Sequence, residues 1–503
     1  MQSRRPLFGQ GAVSPGLLGV AAMLILLLAP AALAQAAAPE VRAPVIVEQV
    51  GTFNGKQVRY RSVVAETVVP DPDGRPGARI VSTAYLAQDA GNPAERPVMF
   101  IWNGGPISAS VYLHMGAFGP KRIAFPDDLD ADTTQLPVVD NPHTILDVAD
   151  LVFVDPAGTG FSRVMPGVDP HIYRSVVGDG QQVAAFIRRW LRDNGRLESP
   201  QYLFGESYGT MRAAQVARTL LEGPDPVELE GMVLFGQALN IIEFSQRPGN
   251  IVSFAVSMPT LSALAWHHGK VDRAGRTLEQ LLDESRAFAR DEYLRALYIG
   301  DQLEPVERQR IAEGLEALTG LSANYYLAHN LRITKEAYRR ELLKDQGLIL
   351  GRNDGRYAGP PSEAPGGGDP SNVIADAVQR GFKEHLRDNL RVDWQDEYRF
   401  AEFPEGGLEG WDWGATSPFS DWPYMQLVSE VMERVPHFRV LVGVGIYDTS
   451  TTTGASEYAL AQSGWPRERA GIAYYGGGHM AYSDEASLQK LMRDMRIFMR
   501  PGQ

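Results

Sequence analysis

Apolar runs without alternation recur along the chain at Val98–Trp102, Leu151–Val154, Tyr202–Phe204, Met232–Phe235, Val440–Val444 and Ile472–Tyr475. Strands covered on both faces read this way, and helical patterns such as Gln181–Arg192 lie between several of them. The pattern predicts an α/β fold: a mixed, mostly parallel sheet flanked by helices. Upstream, Val45 to Gln88 reads as hairpins entering a sheet edge. Asn54-Gly55 is a turn between Val-rich runs, and Pro70-Asp71-Pro72-Asp73-Gly74 is a second turn before Ile80–Leu86.

Between about 240 and 430 the period becomes helical. Thr277-x-x-Gln280 is a capping box, with Leu278, Leu281, Leu282, Ala289 and Tyr293 on one helical face. Pro305 starts a helix carrying Ile311, Leu315 and Leu318; Tyr338–Leu343 and Val373–Leu390 also read as helical. Tyr357–Asn372, rich in Gly and Pro, reads as a flexible loop. Asp484–Met499 closes the chain as an amphipathic helix with Leu488, Leu491, Met495 and Phe498 toward the core. The expected organisation is a signal peptide over 1–34, the first part of the core over 35–240, a mainly helical cap insertion over 241–430, and the last part of the core over 431–503.

Composition narrows the function classes. The 503 residues are 44% hydrophobic and 22% charged, enough for a large core, and the net charge of −13 argues against nucleic-acid binding. Arg4 and Arg5 precede an apolar stretch from Leu17 to Leu33, and Ala32-Leu33-Ala34 supplies a small-x-small cleavage site. That is a secretory signal peptide, so the expected location is periplasmic or secreted, with no stable membrane insertion after cleavage. An uncleaved anchor is the rival, disfavoured by the short apolar run. The Ala-rich residues 35–43 are expected to be a disordered mature N-terminus. With no cysteine there is no disulfide, thiol nucleophile, thiolate metal site or lipidated cysteine.

The chemistry centres on Tyr202-Leu203-Phe204-Gly205-Glu206-Ser207-Tyr208-Gly209-Thr210, an apolar strand, a Gly-x-Ser-x-Gly turn and then a helix. Such an elbow pushes its serine out of the backbone and aims a helix N-terminus at a developing oxyanion. A serine needs a base, and the base needs an acid to hold its tautomer. In the order Ser, Asp, His of the α/β-hydrolase fold, these partners end late strands. Val440–Val444 runs into Gly445-Ile446-Tyr447-Asp448, and Ile472–Tyr475 into Gly476-Gly477-Gly478-His479, so Ser207, Asp448 and His479 are the candidate triad. The turn Asn103-Gly104-Gly105-Pro106, after the early strand, is placed to supply a second oxyanion amide. His267-His268 lacks a third ligand and shares no helix face, so no metal is expected, and no cofactor is needed.

Asn103-Gly104-Gly105-Pro106, Asp155-Pro156-Ala157-Gly158-Thr159-Gly160-Phe161-Ser162, Gly205-Glu206-Ser207-Tyr208, Asp448 and Gly478-His479-Met480 together resemble the serine carboxypeptidases, from about Val45 to the C-terminus. The resemblance implies Ser207, Asp448 and His479 as triad and the amides of Gly105 and Tyr208 as oxyanion donors. It also implies Asn103 and Glu206 as recognisers of a peptide's free C-terminal carboxylate, with a preference for acidic pH. A carboxylate beside Glu206 must share a proton, since like charges at hydrogen-bond distance cannot both stay ionised. The chain departs from the family at Ile107, where glycine is usual, at Trp102 directly before Asn103, at Gly209-Thr210 after the nucleophile, and in lacking the family's disulfides. A branched Ile107 is expected to reshape the site near the oxyanion turn. The implied function is a serine-type carboxypeptidase acting on peptides through an acyl-enzyme. The alternatives are a secreted serine esterase or acyltransferase on the same fold, or a non-catalytic binding protein.

Overall fold

The computed structural model describes residues 41–273, 275–362, 368–403, 405–414 and 420–500. The expected signal peptide, residues 35–40 of the expected disordered N-terminus and residues 363–367 of the Gly/Pro-rich loop lie outside them. Val45–Phe53 pairs antiparallel with Lys56–Pro70 through Asn54 and Gly55, both at positive φ (49° and 76°), as a tight primed hairpin turn requires. Lys56–Pro70 then pairs antiparallel with Pro76–Ala87. Between them Asp71 Oδ1 accepts the amides of Asp73 and Arg75, both at 2.9 Å, and so folds the second turn.

Pro76–Ala87 lies antiparallel against Asp150–Asp155, and from there the strands run parallel. Their order is Asp150–Asp155, Val98–Trp102, Gln201–Glu206, Gly231–Phe235, Arg439–Gly445 and Ala470–Tyr475. Both neighbours of Val98–Trp102 come later in the chain. The strand order therefore switches beside it, at the point where α/β sheets place their ligand sites, and Trp102 and Glu206 end there.

The non-alternating runs are explained by two apolar layers. Trp102, Leu203, Met232 and Val442 face one cluster, under the helices Val176–Asp193, Tyr208–Leu220 and Tyr424–Arg434. Ile101, Phe204, Val233 and Phe235 face the other, under Asn372–Asp388 and the closing helix Glu485–Phe498. Side chains alternate across a strand, so consecutive apolar residues serve opposite layers.

The helices between Ile251 and Leu350 carry a third core of their own, including Leu261, Leu281, Ile311, Tyr326 and Tyr338. Thr277 opens one of them with the expected capping box, its hydroxyl accepting from Gln280 N–H and its own amide donating to Gln280 Oε1. Only part of 241–430 shares that core, because Asn372–Asp388 and Tyr424–Arg434 pack on the two faces of the sheet. Among the described residues no helix is long and apolar enough to cross a membrane.

Leu203 is fully buried between the sheet and its helices. Leu203→Ala is expected to cost about 2–5 kcal/mol, read as a lower urea midpoint for the unfolding of the core.

Candidate active site

Ser207 joins the strand Gln201–Glu206 to the helix Tyr208–Leu220 with φ 59° and ψ −130°, a backbone region that residues with side chains avoid. Hydrogen bonds hold it there. Its amide donates to Phe235 O at 2.9 Å, and its carbonyl accepts from Thr210 N–H at 2.9 Å and Thr210 Oγ1 at 2.7 Å. Trp102 Nε1–H donates to Gly209 O at 2.8 Å, which ties the early strand to the start of the helix.

The turn after Trp102 approaches the serine by backbone alone. A Cβ at Gly104 would fall 2.7 Å from Tyr208 N and 2.9 Å from Ser207 Cβ. Gly105 has φ +109°, which only glycine adopts without strain. Among the described residues, neither the Gly105 nor the Tyr208 amide meets a hydrogen-bond acceptor. Ile107 is buried in the apolar cluster that includes Trp102 and Tyr208.

His479 Nδ1–H donates to Asp448 Oδ2 at 2.6 Å. Asp448 is fully buried and also accepts from the amides of Ser450 (2.7 Å) and Thr451 (3.1 Å) and from Thr451 Oγ1 (2.5 Å). This keeps a proton on Nδ1, so that Nε2 is the nitrogen that gains and loses a proton. A Cβ at Gly236 would fall 3.1 Å from His479 Cε1, and Gly236 follows the Phe235 carbonyl that binds Ser207. Serine and imidazole thus back onto the same two residues. Their side chains share no hydrogen bond among the described residues, so Oγ and Nε2 remain uncommitted, as is common before substrate binds.

A segment that the sequence did not single out braces both late loops. Asn353 O accepts His479 N–H at 2.5 Å, and Asp354 Oδ2 accepts Gly478 N–H at 2.9 Å. Arg352 O accepts Thr449 Oγ1 at 2.7 Å, and Gly355 N–H donates to Tyr447 O at 3.0 Å. His268, half of the tempting histidine pair, donates Nε2–H to Gly355 O at 2.8 Å and belongs to this brace.

Asn103 and Glu206 meet beside the nucleophile. Asn103 Nδ2 donates to Glu206 Oε1 at 2.8 Å while its Oδ1 accepts Leu113 N–H at 3.0 Å. Both side chains are buried, yet Glu206 Oε2 has no hydrogen-bond partner. The Tyr482 hydroxyl, likewise buried, is the donor that faces this carboxyl. Burial raises the Glu206 pKa above its ordinary value, against the pull of the His479 charge and of the Tyr482 and Asn103 side chains. For His479 burial acts the other way, but the charge and hydrogen bond of Asp448, with Glu206 behind, outweigh it and push the imidazole up to about 9. All seven candidate residues, Asn103, Gly105, Glu206, Ser207, Tyr208, Asp448 and His479, therefore gather at the ends of the parallel strands.

Residues 84–290 match the family model described as serine carboxypeptidase. The chain resembles the serine carboxypeptidases. That match contains Asn103, Gly105, Glu206, Ser207 and Tyr208 and ends before Asp448 and His479. The fold agrees with that of Kex1, a prohormone-processing carboxypeptidase from Saccharomyces cerevisiae, at TM-score 0.54 and 14% identity over 87% of this chain and 91% of that one. A carboxyl esterase from Bacillus coagulans overlaps more loosely (TM-score 0.36, 14% identity, 86% and 97% covered), as does a proline iminopeptidase from Mycobacterium smegmatis (0.35, 13%, 86% and 98%). No curated protein matches the chain. The family match covers the elbow and the early turn, and the likeness to Kex1 is one of fold.

The close approach at Gly104 generates a test. Gly104→Ala is expected to slow fluorophosphonate labelling of Ser207 by about 100-fold or more, the cost of losing an oxyanion donor, with the far-ultraviolet circular dichroism retained.

Proposed function

We propose that the chain releases C-terminal residues from peptides through an acyl-enzyme on Ser207, after export through its N-terminal segment. The observation that carries this reading is the buried, unpartnered Glu206 Oε2 beside the nucleophile. A protonated Glu206 can donate to a substrate carboxylate, which a general esterase has no need to recognise.

In the proposed cycle Ser207 Oγ attacks the scissile carbonyl carbon as His479 Nε2 takes its proton. Negative charge moves onto the carbonyl oxygen, towards the free amides of Gly105 and Tyr208. The intermediate collapses, the C–N bond breaks, and His479 hands its proton to the leaving amine. Water then adds to the ester with His479 again as base, and the acid product departs as Ser207 regains its proton. Asp448 keeps Nδ1–H oriented and offsets the imidazolium charge.

Glu206 and His479 titrate as a pair, since each feels the other's charge. With one proton between them, the competent arrangement puts it on Glu206 and leaves Nε2 free. An arriving carboxylate favours that arrangement, because it repels an ionised Glu206. Rising pH removes the shared proton and with it the binding of free-acid peptides, which is the physical basis for an acidic preference.

Blocked dipeptides offered as free acid and as ester separate the readings across a pH series. The expected outcome is free-acid cleavage that declines as pH rises through the raised Glu206 pKa, with no such decline for the ester. In Glu206→Gln the amide has no proton to lose, so that decline should vanish, while Ser207→Ala should lower kcat by at least about 10⁴-fold on both substrates. Ester turnover with no advantage for the free acid would move the chain to the esterase or acyltransferase reading. For export, the mature protein recovered from its source should begin at Gln35.

A further inference from the structure

Five residues after the nucleophile, Arg212 sits inside the protein with none of its side chain exposed. Its guanidinium bonds in three directions. Nε donates to Asp179 Oδ2 at 2.7 Å, Nη1 to Asn103 O at 2.7 Å, and Nη2 to Pro106 O at 2.8 Å. Asn103 O and Pro106 O flank Gly104-Gly105, so the fork grips the turn on either side of its two glycines. Two adjacent glycines carry little conformational preference of their own, and a turn built on them needs an external restraint.

The same side chain reaches the other half of the site. The Tyr208 ring lies beside the guanidinium, 5.3 Å from its centroid to Arg212 Cζ, and the Tyr208 hydroxyl donates to the same Asp179 Oδ2 at 2.9 Å. Asp179 Oδ1 accepts from Gln182 Nε2 at 3.1 Å, and Gln182 Oε1 accepts Ala157 N–H at 2.9 Å, which carries the network into the Asp155–Ser162 motif. A buried guanidinium requires such a counter-charge. Lysine cannot replace it, because only a rigid planar fork serves three acceptors in fixed directions.

We propose that Arg212, with Asp179 as its counter-ion, is the positioning residue of the oxyanion hole, holding the turn that carries the Gly105 amide at a fixed spacing from the Tyr208 amide. This rests on the reading of those two amides as the oxyanion donors. Arg212 acts through them and touches no substrate. The charge pair could instead serve stability alone, and the two roles separate experimentally. Replacing both buried charges by apolar side chains removes the ion pair without stranding either partner, so stability should largely return. The turn would still lack its fork.

The test compares wild type, Arg212→Lys, Arg212→Met and the double variant Arg212→Met/Asp179→Leu. Acylation is followed with a p-nitrophenyl ester and by fluorophosphonate labelling, transition-state affinity with a boronic acid that forms a tetrahedral adduct on Ser207, and stability by urea unfolding. In the folded variants, acylation should fall by about 100-fold, as for loss of one oxyanion donor, and boronate affinity should fall in step. KM should change little. The double variant should recover its urea midpoint without recovering its rate, and Arg212→Lys should not rescue. Recovery of rate together with stability, or a folded variant acylated at the wild-type rate, would overturn the proposal. Should Arg212→Met alone not fold, the double variant and Arg212→Lys carry the comparison. Because ester and fluorophosphonate report on any serine hydrolase, a wild type that acylates but spares peptides would refute the carboxypeptidase reading and leave this comparison decisive.

Discussion

Ser207 is held in a backbone conformation it would not choose, and the rest of the site is arranged around that constraint. Strain of this kind persists only where the surroundings over-determine it. Here a parallel strand, a helix, the Phe235 carbonyl and the Trp102–Gly209 hydrogen bond each fix one side of the elbow. The elbow in turn sets where the helix N-terminus points and how closely the Gly104-Gly105 turn can come. Two apolar layers keep the strand ends rigid enough for these approaches to matter.

Electrostatics at the site follow from burial. Asp448 is buried but satisfied by two amides, a hydroxyl and an imidazole, so its charge is available to hold His479. Glu206 is buried with one oxygen unsatisfied, and its charge is disfavoured. Four hydrogen bonds thus suit Asp448 to orient the base, whereas burial, which raises the Glu206 pKa, suits that carboxyl to hold a proton. Arg212 and Asp179 form a second charged pair on the far side of the turn, compensated by Tyr208 and Gln182.

Much of this was legible along the chain because its causes are local. Non-alternating runs mark strands covered on both faces, Asn54-Gly55 marks a turn with positive φ at two positions, and Thr277 with Gln280 marks a helix start. The candidate residues were readable for a similar reason, since an elbow and strand-end loops leave short, ordered signatures. Arg212 left no such mark. It lies between Met211 and Ala213 on a helix buried on nearly every side, so no polar face announced it. The brace at Arg352–Gly355 was also silent, because most of its hydrogen bonds to the late loops are made by backbone carbonyls and an amide, which any side chain could accompany.

By itself, then, the sequence determined the layer architecture, the strand that carries the serine, and which residue types stand at the ends of the late strands, because periodicity and turn chemistry are properties of neighbouring residues. Tertiary structure decided which parts of 241–430 keep a core of their own and which return to the sheet. It also decided that Asn103 bonds Glu206 across 103 positions of chain and leaves one buried oxygen unsatisfied, and that one guanidinium binds both sides of the oxyanion turn. These are relations between segments distant in sequence, and only packing brings such segments to hydrogen-bond distance.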